Sequence, residues 1–501
     1  MTKKTRILLL NPPFFRFWGS SSGVFPIGLG YLKAVVKDIS GVVVDIYDAD
    51  FSKKSTEHSP KSLSSISVDS LSDKILDPNF YIYNETIKNI SSFKPDIIGI
   101  SVWSAAHEIV EILINRIKKE ISKDIFIIAG GPHASAAPEE LGKIKGIDII
   151  VRGEGEKIFR EIIKSYMNDS NIKKIKGISY YDKRLKKLIN NPDMPIIKNI
   201  NSLPYPDRTS SFVKDASPNY YSRIFSSRGC PFNCIFCDSH RVWGRNVRFR
   251  SPENIVKEIK ELIGKYNVKN FTFSDDTFTL NKERTKEICK LIKNKTPDIG
   301  WTAGTRVNLV DKDLLKEMKD AGCTHIKFGV EAGNQKIMDK IKKGIRIDEV
   351  KKAVKLTKKI GLKQTTFFMV GHPEESREDI NDTIKLAKEL DAYKIWFNIV
   401  SPYPGTELSE IAKKRNLLDY NNWFELQHEG SATMKTDNLT KEEITVMFRD
   451  IVNEFEKINL GKQRKYLFKR LFNNQVQINN LQDLKRKISQ SFDIFIRSYI
   501  K

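Results

Sequence analysis

Five cysteines in 501 residues are too few for a disulfide framework, and 40% hydrophobic content is enough to build ordinary buried cores instead. No apolar run approaches the roughly 18 residues that suggest a membrane span. The first one, 7–10, is stopped by Asn11-Pro12-Pro13, well short of a signal-peptide core. The expected location is therefore the cytoplasm. The glycine pattern of a nicotinamide-binding turn is also missing. Directly after the first strand signal stands NPPFFRFWG, and Gly28 and Gly30 come later without a third glycine. The net charge of +23 suggests an anionic partner. Yet the lysines are scattered over helical faces and no RNA-binding appendage is recognisable, which argues against nucleic acid.

What is present is alternation. Stretches 6–11, 42–48, 96–102, 124–131 and 148–156 are short β-branched runs. They are separated by helical periodicity at 27–38, 81–93, 107–122 and 138–145. This pattern predicts an α/β unit over 1–190 with a doubly wound parallel sheet of about five strands. Ligands of such sheets bind at the carboxyl ends of the strands. Those ends carry Pro12 and Pro13, Ser101, Gly130-Gly131-Pro132-His133 and Gly153-Glu154. The Ser/Lys-rich piece 52–77 reads as a solvated insertion, and 191–221, with LPYPD, as a linker. A second series, 222–430, has strand signals at 222–229, 269–276, 299–307, 325–333, 363–371 and 392–400. Six βα repeats predict a partial (β/α)6 TIM-like barrel with its site at the strands' C-terminal mouth. Residues 431–501 read as a basic helical extension.

Three of the five cysteines fall inside RGCPFNCIFC, as Cys230, Cys234 and Cys237, just after the first barrel strand. Three thiolates can hold a cubane [4Fe–4S] cluster and leave one iron open to chelate a small molecule. Zinc is the alternative, because His240 completes a possible Cys3His set. Cys289 and Cys323 read as small buried hydrophobes.

With Cys230-Pro-Phe-Asn-Cys234-Ile-Phe236-Cys237 as its signature, the chain resembles cobalamin-binding radical S-adenosylmethionine enzymes over about residues 5–430. The resemblance implies a Rossmann-like cobalamin domain ahead of the barrel. It also implies three cofactors: a [4Fe–4S] cluster, S-adenosylmethionine and cobalamin. In that family the open iron binds S-adenosylmethionine, whose reductive cleavage gives a 5′-deoxyadenosyl radical, with flavodoxin or ferredoxin as the reducing partner. By the same resemblance Phe236, Asp275, Asp276, Glu331 and Gly371 of MVGHPEES contact S-adenosylmethionine, and Arg306 faces either its methionine carboxylate or a cobalamin edge. GGPHAS and VRGEGE match the cobalamin domains of such fusions, where the loop bearing His133 embraces the dimethylbenzimidazole tail. No histidine follows Asn11-Pro12-Pro13, so cobalamin is expected base-off without a histidine on cobalt.

The resemblance implies C-methylation of an unactivated carbon in a natural product or lipid-type substrate. Cyclisation or rearrangement without net methyl transfer is the alternative, with RNA modification behind it. A non-catalytic sensor would be expected to lose residues such as Asp275 and Glu331, which are present. The segment 461–501 holds ten Lys/Arg against two Asp, interleaved with aromatics. That composition suggests either a cover for the barrel or a peripheral contact with the inner membrane face, the latter favouring a lipid-linked over a free small-molecule substrate.

Overall fold

The computed structural model describes residues 4–52, 56–57, 68–427 and 429–472, the side chains of 56–57, 68–69 and 466–472 excepted. In its first sheet β1 (Thr5–Asn11), β2 (Val42–Asp48), β3 (Ile97–Ser101), β4 (Phe126–Gly130) and β5 (Ile149–Val151) run parallel. An antiparallel hairpin, β6 (Ile178–Asp182) and β7 (Lys187–Asn190), extends the β5 edge, giving the order β2-β1-β3-β4-β5-β6-β7. The expectation of about five strands missed this hairpin. Its outer strand buries no residue fully, so no apolar periodicity marks it.

The strand β1 shows why the sheet is covered on both faces. Ile7 and Leu9 pack into one core with α1 (Ile27–Val36) and α5 (Gly155–Met167). Leu8 and Leu10 point the other way, into a core with α3 (Tyr81–Phe93) and α4 (His107–Arg116). A continuous apolar run is what a doubly covered parallel strand requires. Part of the expected solvated insertion folds as α2 (Val68–Leu76), whose Leu71 and Ile75, one turn apart, are buried.

The second sheet is parallel throughout, in sequential order. It comprises β8 (Arg223–Ile224), β11 (Asn270–Phe273), β12 (Gly300–Thr305), β13 (Cys323–Glu331), β14 (Lys363–Val370) and β15 (Lys394–Ile399). In β12 and β15 buried and half-buried residues alternate strictly. Trp301, Ala303, Ile395 and Phe397 enter the core under the outer helices, and the alternate positions line an inner lumen. The first strand differs from expectation. Only Arg223–Ile224 joins the sheet, whereas β9 (Ser227–Arg228) turns away and pairs antiparallel with β10 (Arg248–Phe249). That departure lifts the cysteine loop clear of the sheet.

The stretch 191–221 is pinned down along its course. Arg208 is fully buried with its Nη2 2.6 Å from Glu258 Oε1, and Ser211 N donates to Asp45 Oδ2 at 3.0 Å. At the far edge α7 (Lys441–Phe472) covers β15. Asn459 accepts from Ile395 N at 2.9 Å and donates to Ile395 O at 2.7 Å, pairing an otherwise open strand edge. Residues 473–501, with most of the basic aromatic segment, lie outside the described residues.

Candidate functional site

The cysteine loop leaves β9 through Gly229, whose φ is 93° and where a Cβ would fall 2.8 Å from Asn246 O, which excludes a side chain. Cys230, Cys234 and Cys237 follow, half-buried, before the short helix α6 (Ser239–Trp243). Cys289 and Cys323 are buried in the barrel core. Burial pushes the Cys237 thiol up to about 12 and raises Cys230, so these thiols ionise only when something cationic compensates them. Arg306 stands ready, with Nη1 3.8 Å from Cys234 Sγ and its guanidinium 3.7 Å over the Phe232 ring. His240 Nδ1 lies 3.1 Å from the Cys237 carbonyl. Among the described residues no group of three or more His, Cys, Asp and Glu side chains is drawn up as a metal cage. The loop brings three sulfur donors to one side of the mouth without preassembling them.

The carboxyl ends of the other strands complete this mouth. Asp275 is buried and spends its carboxylate on Ser226 N at 2.6 Å, on the Ser226 hydroxyl and on Ser227 Oγ at 2.8 Å. It therefore fixes the strand that feeds the loop. Asp276 is exposed at the rim and accepts from Ser239 Oγ of α6 at 2.6 Å. Glu331 sits at φ 77° beside a register shift in β13, a conformation that costs about 1–3 kcal/mol in a non-glycine residue. Lys343 Nζ holds it at 2.6 Å and lies 5.9 Å over the Phe236 ring. Gly371 and His372 both donate their N–H to Glu375 Oε2, at 2.6 and 3.0 Å. Burial raises Glu375 to about 8 and lowers His372 to about 3, and among the described residues neither ring nitrogen of His372 has a hydrogen-bond partner.

The first sheet ends differently. At the carboxyl ends of β3, β4 and β5 lies a slot of about 220 Å³, lined by Gly28, Ser101, Gly130, Gly131, Pro132 and Gly153. Gly131, at φ 105°, would drive a Cβ to 2.8 Å from Val102 O. Bare backbone on several sides lets a flat group approach closely. Pro12 and Pro13 are buried and are not among the residues that line the slot. His133 is fully buried, with Nδ1 3.0 Å from Ser104 Oγ, Nε2 3.1 Å from His107 Nδ1 and its ring 4.8 Å from Trp423. Burial and His107 lower it to about 3, so it is neutral. Its Trp423 neighbour belongs to the segment after the barrel, and Glu108 accepts the backbone N–H of Trp423 and Phe424 at 2.5 and 3.2 Å.

The two mouths meet. Val242 and Trp243 of α6 form a wall of the glycine slot. Arg228, two positions before Cys230, donates to Glu154 at 2.9 Å and Glu156 at 2.5 Å, both in the slot wall, and Arg248 donates to Glu154 at 2.7 Å. The guanidinium of Arg228 lies 4.6 Å from the Trp243 ring. Arg228, Glu156, Val242, Trp243, His372 and Glu375 went unassigned in the sequence. An arginine before a cysteine loop and a tryptophan after it carry no pattern that says they pack on another domain.

Residues 224–387 match the radical SAM superfamily, and residues 21–163 match the B12 binding domain. An uncharacterized methyltransferase of Pyrococcus horikoshii is 34% identical over 89% of this chain and 91% of its own. The chain belongs to the B12-binding radical SAM family. The anaerobic magnesium-protoporphyrin IX monomethyl ester cyclase of Rubrivivax gelatinosus is 29% identical over 71% of this chain and 65% of its own. Among solved structures, the radical S-adenosylmethionine methyltransferase TsrM from Kitasatospora setae, with cobalamin and a [4Fe–4S] cluster bound, superposes with a TM-score of 0.64. It shares 16% identity and covers 83% of this chain and 76% of its own, a likeness of fold.

As a B12-binding radical SAM enzyme the chain uses a [4Fe–4S] cluster, S-adenosylmethionine and cobalamin. The residues present fit them. Three thiols on one loop beside a cationic Arg306 suit a cluster with one open iron, and the glycine-walled slot suits a flat cofactor part. Among the described residues no helix is long and apolar enough to cross a membrane.

Proposed function

We propose that this enzyme transfers a methyl group to an unactivated carbon of a small molecule. The observation that carries the reading is the seam: Arg228 and Trp243, which flank the cluster loop, both form contacts at the wall of the glycine slot. Radical generation and the methyl donor thus have adjoining sites. When bound, the three cofactors supply hydrogen abstraction at one mouth and methyl donation from the other. The chain's own residues hold and aim them. Cys230, Cys234 and Cys237 ligate the cluster, and Arg306 balances thiolate charge beside Cys234. Glu331, locked by Lys343 next to Phe236, is placed to accept hydrogen bonds from S-adenosylmethionine. Asp276 stands at the rim tied to α6. Gly130, Gly131 and Gly153 line the slot for the cobalamin tail, with Pro132 and Ser101 at its edge. His133, with its two ring nitrogens engaged by Ser104 and His107, would support that loop from behind rather than reach the cofactor's metal. The electron enters from a flavodoxin or ferredoxin.

The similarity to a cyclase as well as to a methyltransferase makes the alternative concrete. Reaction with methyl-labelled S-adenosylmethionine separates them. Methylation yields 5′-deoxyadenosine and S-adenosylhomocysteine in comparable amounts, with label in the product. Cyclisation or rearrangement yields 5′-deoxyadenosine alone, and that result would overturn the proposal.

A further inference from the structure

The inner face of the second sheet carries a level that neither the cysteine loop nor the slot uses. Parallel pairing places Lys327 of β13 beside Thr365 of β14, and Thr365 beside Lys394 of β15. These positions alternate with Ile326, Phe328 and Ile395, which belong to the core, so all three line the lumen. Arg223 of β8 lies on the same inner face, close enough that its charge acts on Lys327. One register step toward the mouth, Phe367 pairs with Trp396. Glu331 stands four residues beyond Lys327 on β13, about 13 Å along a strand.

Among the described residues the acids that act on this row, Glu429 and Glu456, act on Lys394 and not on Lys327 or Arg223. Among the described residues neither Arg223 nor Lys327 pairs with a carboxylate, and burial lowers both, Arg223 adding to the shift of Lys327. Lys394 is lowered by burial and by Lys327. Glu429 and Glu456 oppose that shift, and its ammonium rests 4.1 Å over the Trp396 ring. Lys327 and Lys394 are half-buried and Arg223 is exposed at the start of its strand, and like charges gathered in this way cost stability unless a counter-charge arrives. Nothing in the cluster or slot supplies it.

We propose that Arg223, Lys327 and Lys394 anchor a carboxylate or phosphate of the substrate, whose apolar body lies against Phe367 and Trp396. The reacting carbon then stands at the level of Glu331. This deepens the proposed function by naming the substrate class and rests on it only in taking the lumen as the substrate chamber. The substrate is an anionic molecule with an apolar or planar body extending about 13 Å from its anchor, as the strand rise between the two levels requires.

Phenyl phosphate, inorganic phosphate and phenol are the probes, applied to the cofactor-loaded enzyme during limited acetylation with mapping of each lysine. Phenyl phosphate is expected to slow acetylation of Lys327 and Lys394 about fivefold, inorganic phosphate less and phenol not at all, because the charged contact dominates. Exposed Lys290 serves as the control. Calorimetric affinity for phenyl phosphate should fall about tenfold in Arg223→Met/Lys327→Met. Cobalamin uptake of that variant checks its fold, and if uptake fails, the protection pattern of the unaltered enzyme decides. Equal protection by phenol, no protection, or unchanged affinity in a folded variant would overturn the anchor. Because these readouts involve no methyl transfer, protection without methylated product would sink the methylation reading and leave the anchor standing, and the reverse holds equally.

Discussion

Two sheets in one chain, the second parallel throughout and the first parallel but for its edge hairpin, present opposite chemistry at the same ends of their parallel strands. The first ends in bare glycine backbone around a slot of about 220 Å³. The second ends in thiols, a guanidinium 3.8 Å from one of them and a buried Glu331–Lys343 ion pair. The rule that ligands gather at carboxyl ends applies to both. What differs is coverage. The first sheet is sandwiched between two apolar cores, so its ligand enters only where side chains are missing. The second sheet has one apolar core and an inner lumen, so polar groups can point inward along its whole depth.

The largest expected effect breaks one mouth and spares the other. Replacing Cys237 by Ala should abolish iron uptake and S-adenosylmethionine cleavage while cobalamin uptake, read by visible absorbance, persists. Cys289→Ala should keep both. Next is the seam that joins the mouths. Arg228→Ala strands Glu156 without a cation and leaves Glu154 to Arg248 alone, and should cost about 3–5 kcal/mol in denaturant unfolding, the range for breaking a buried pair. Arg228→Lys should recover part of it.

The second contact between the domains is uncharged in its aromatic part and rests on Glu108. Burial raises this carboxyl to about 7, more than its bonds to Trp423 and Phe424 lower it. Its folded value lies above its unfolded one, so its contribution is complete below about pH 4 and lost as pH rises through about 7. Glu108→Gln should therefore remove about 3 kcal/mol of pH dependence between pH 4 and 8, a figure obtained from the size of the shift. A parallel pH profile for both proteins would contradict this. The smallest effect sharpens the comparison at its boundary. Trp243→Ala, which opens the slot from the barrel side, should weaken cobalamin binding about tenfold yet leave cobinamide, which lacks the nucleotide tail, unchanged. Equal losses for both would mean that Trp243 does not touch the tail.

Much of this was legible in the chain before folding. The alternation of apolar runs and helical periodicity marked both parallel sheets, because a doubly covered strand such as 6–11 must be apolar on both faces. The spacing Cys230, Cys234, Cys237 and the pattern of GGPHAS and VRGEGE pointed to the cofactors, because local loops set those donors and those close backbone approaches. Tertiary structure alone decided where the first barrel strand ends, since Ser227–Arg228 is drawn off to pair with Arg248–Phe249. It also turned Glu154 from a candidate ligand position into one end of an ion pair with Arg228, and enclosed His133 with His107 and Trp423. The cation row of Arg223, Lys327 and Lys394 was equally hidden. Its members stand up to 171 residues apart in the sequence, each a single lysine or arginine in an ordinary strand. Register alone brings them to one face, and register depends on partners that a linear pattern does not name.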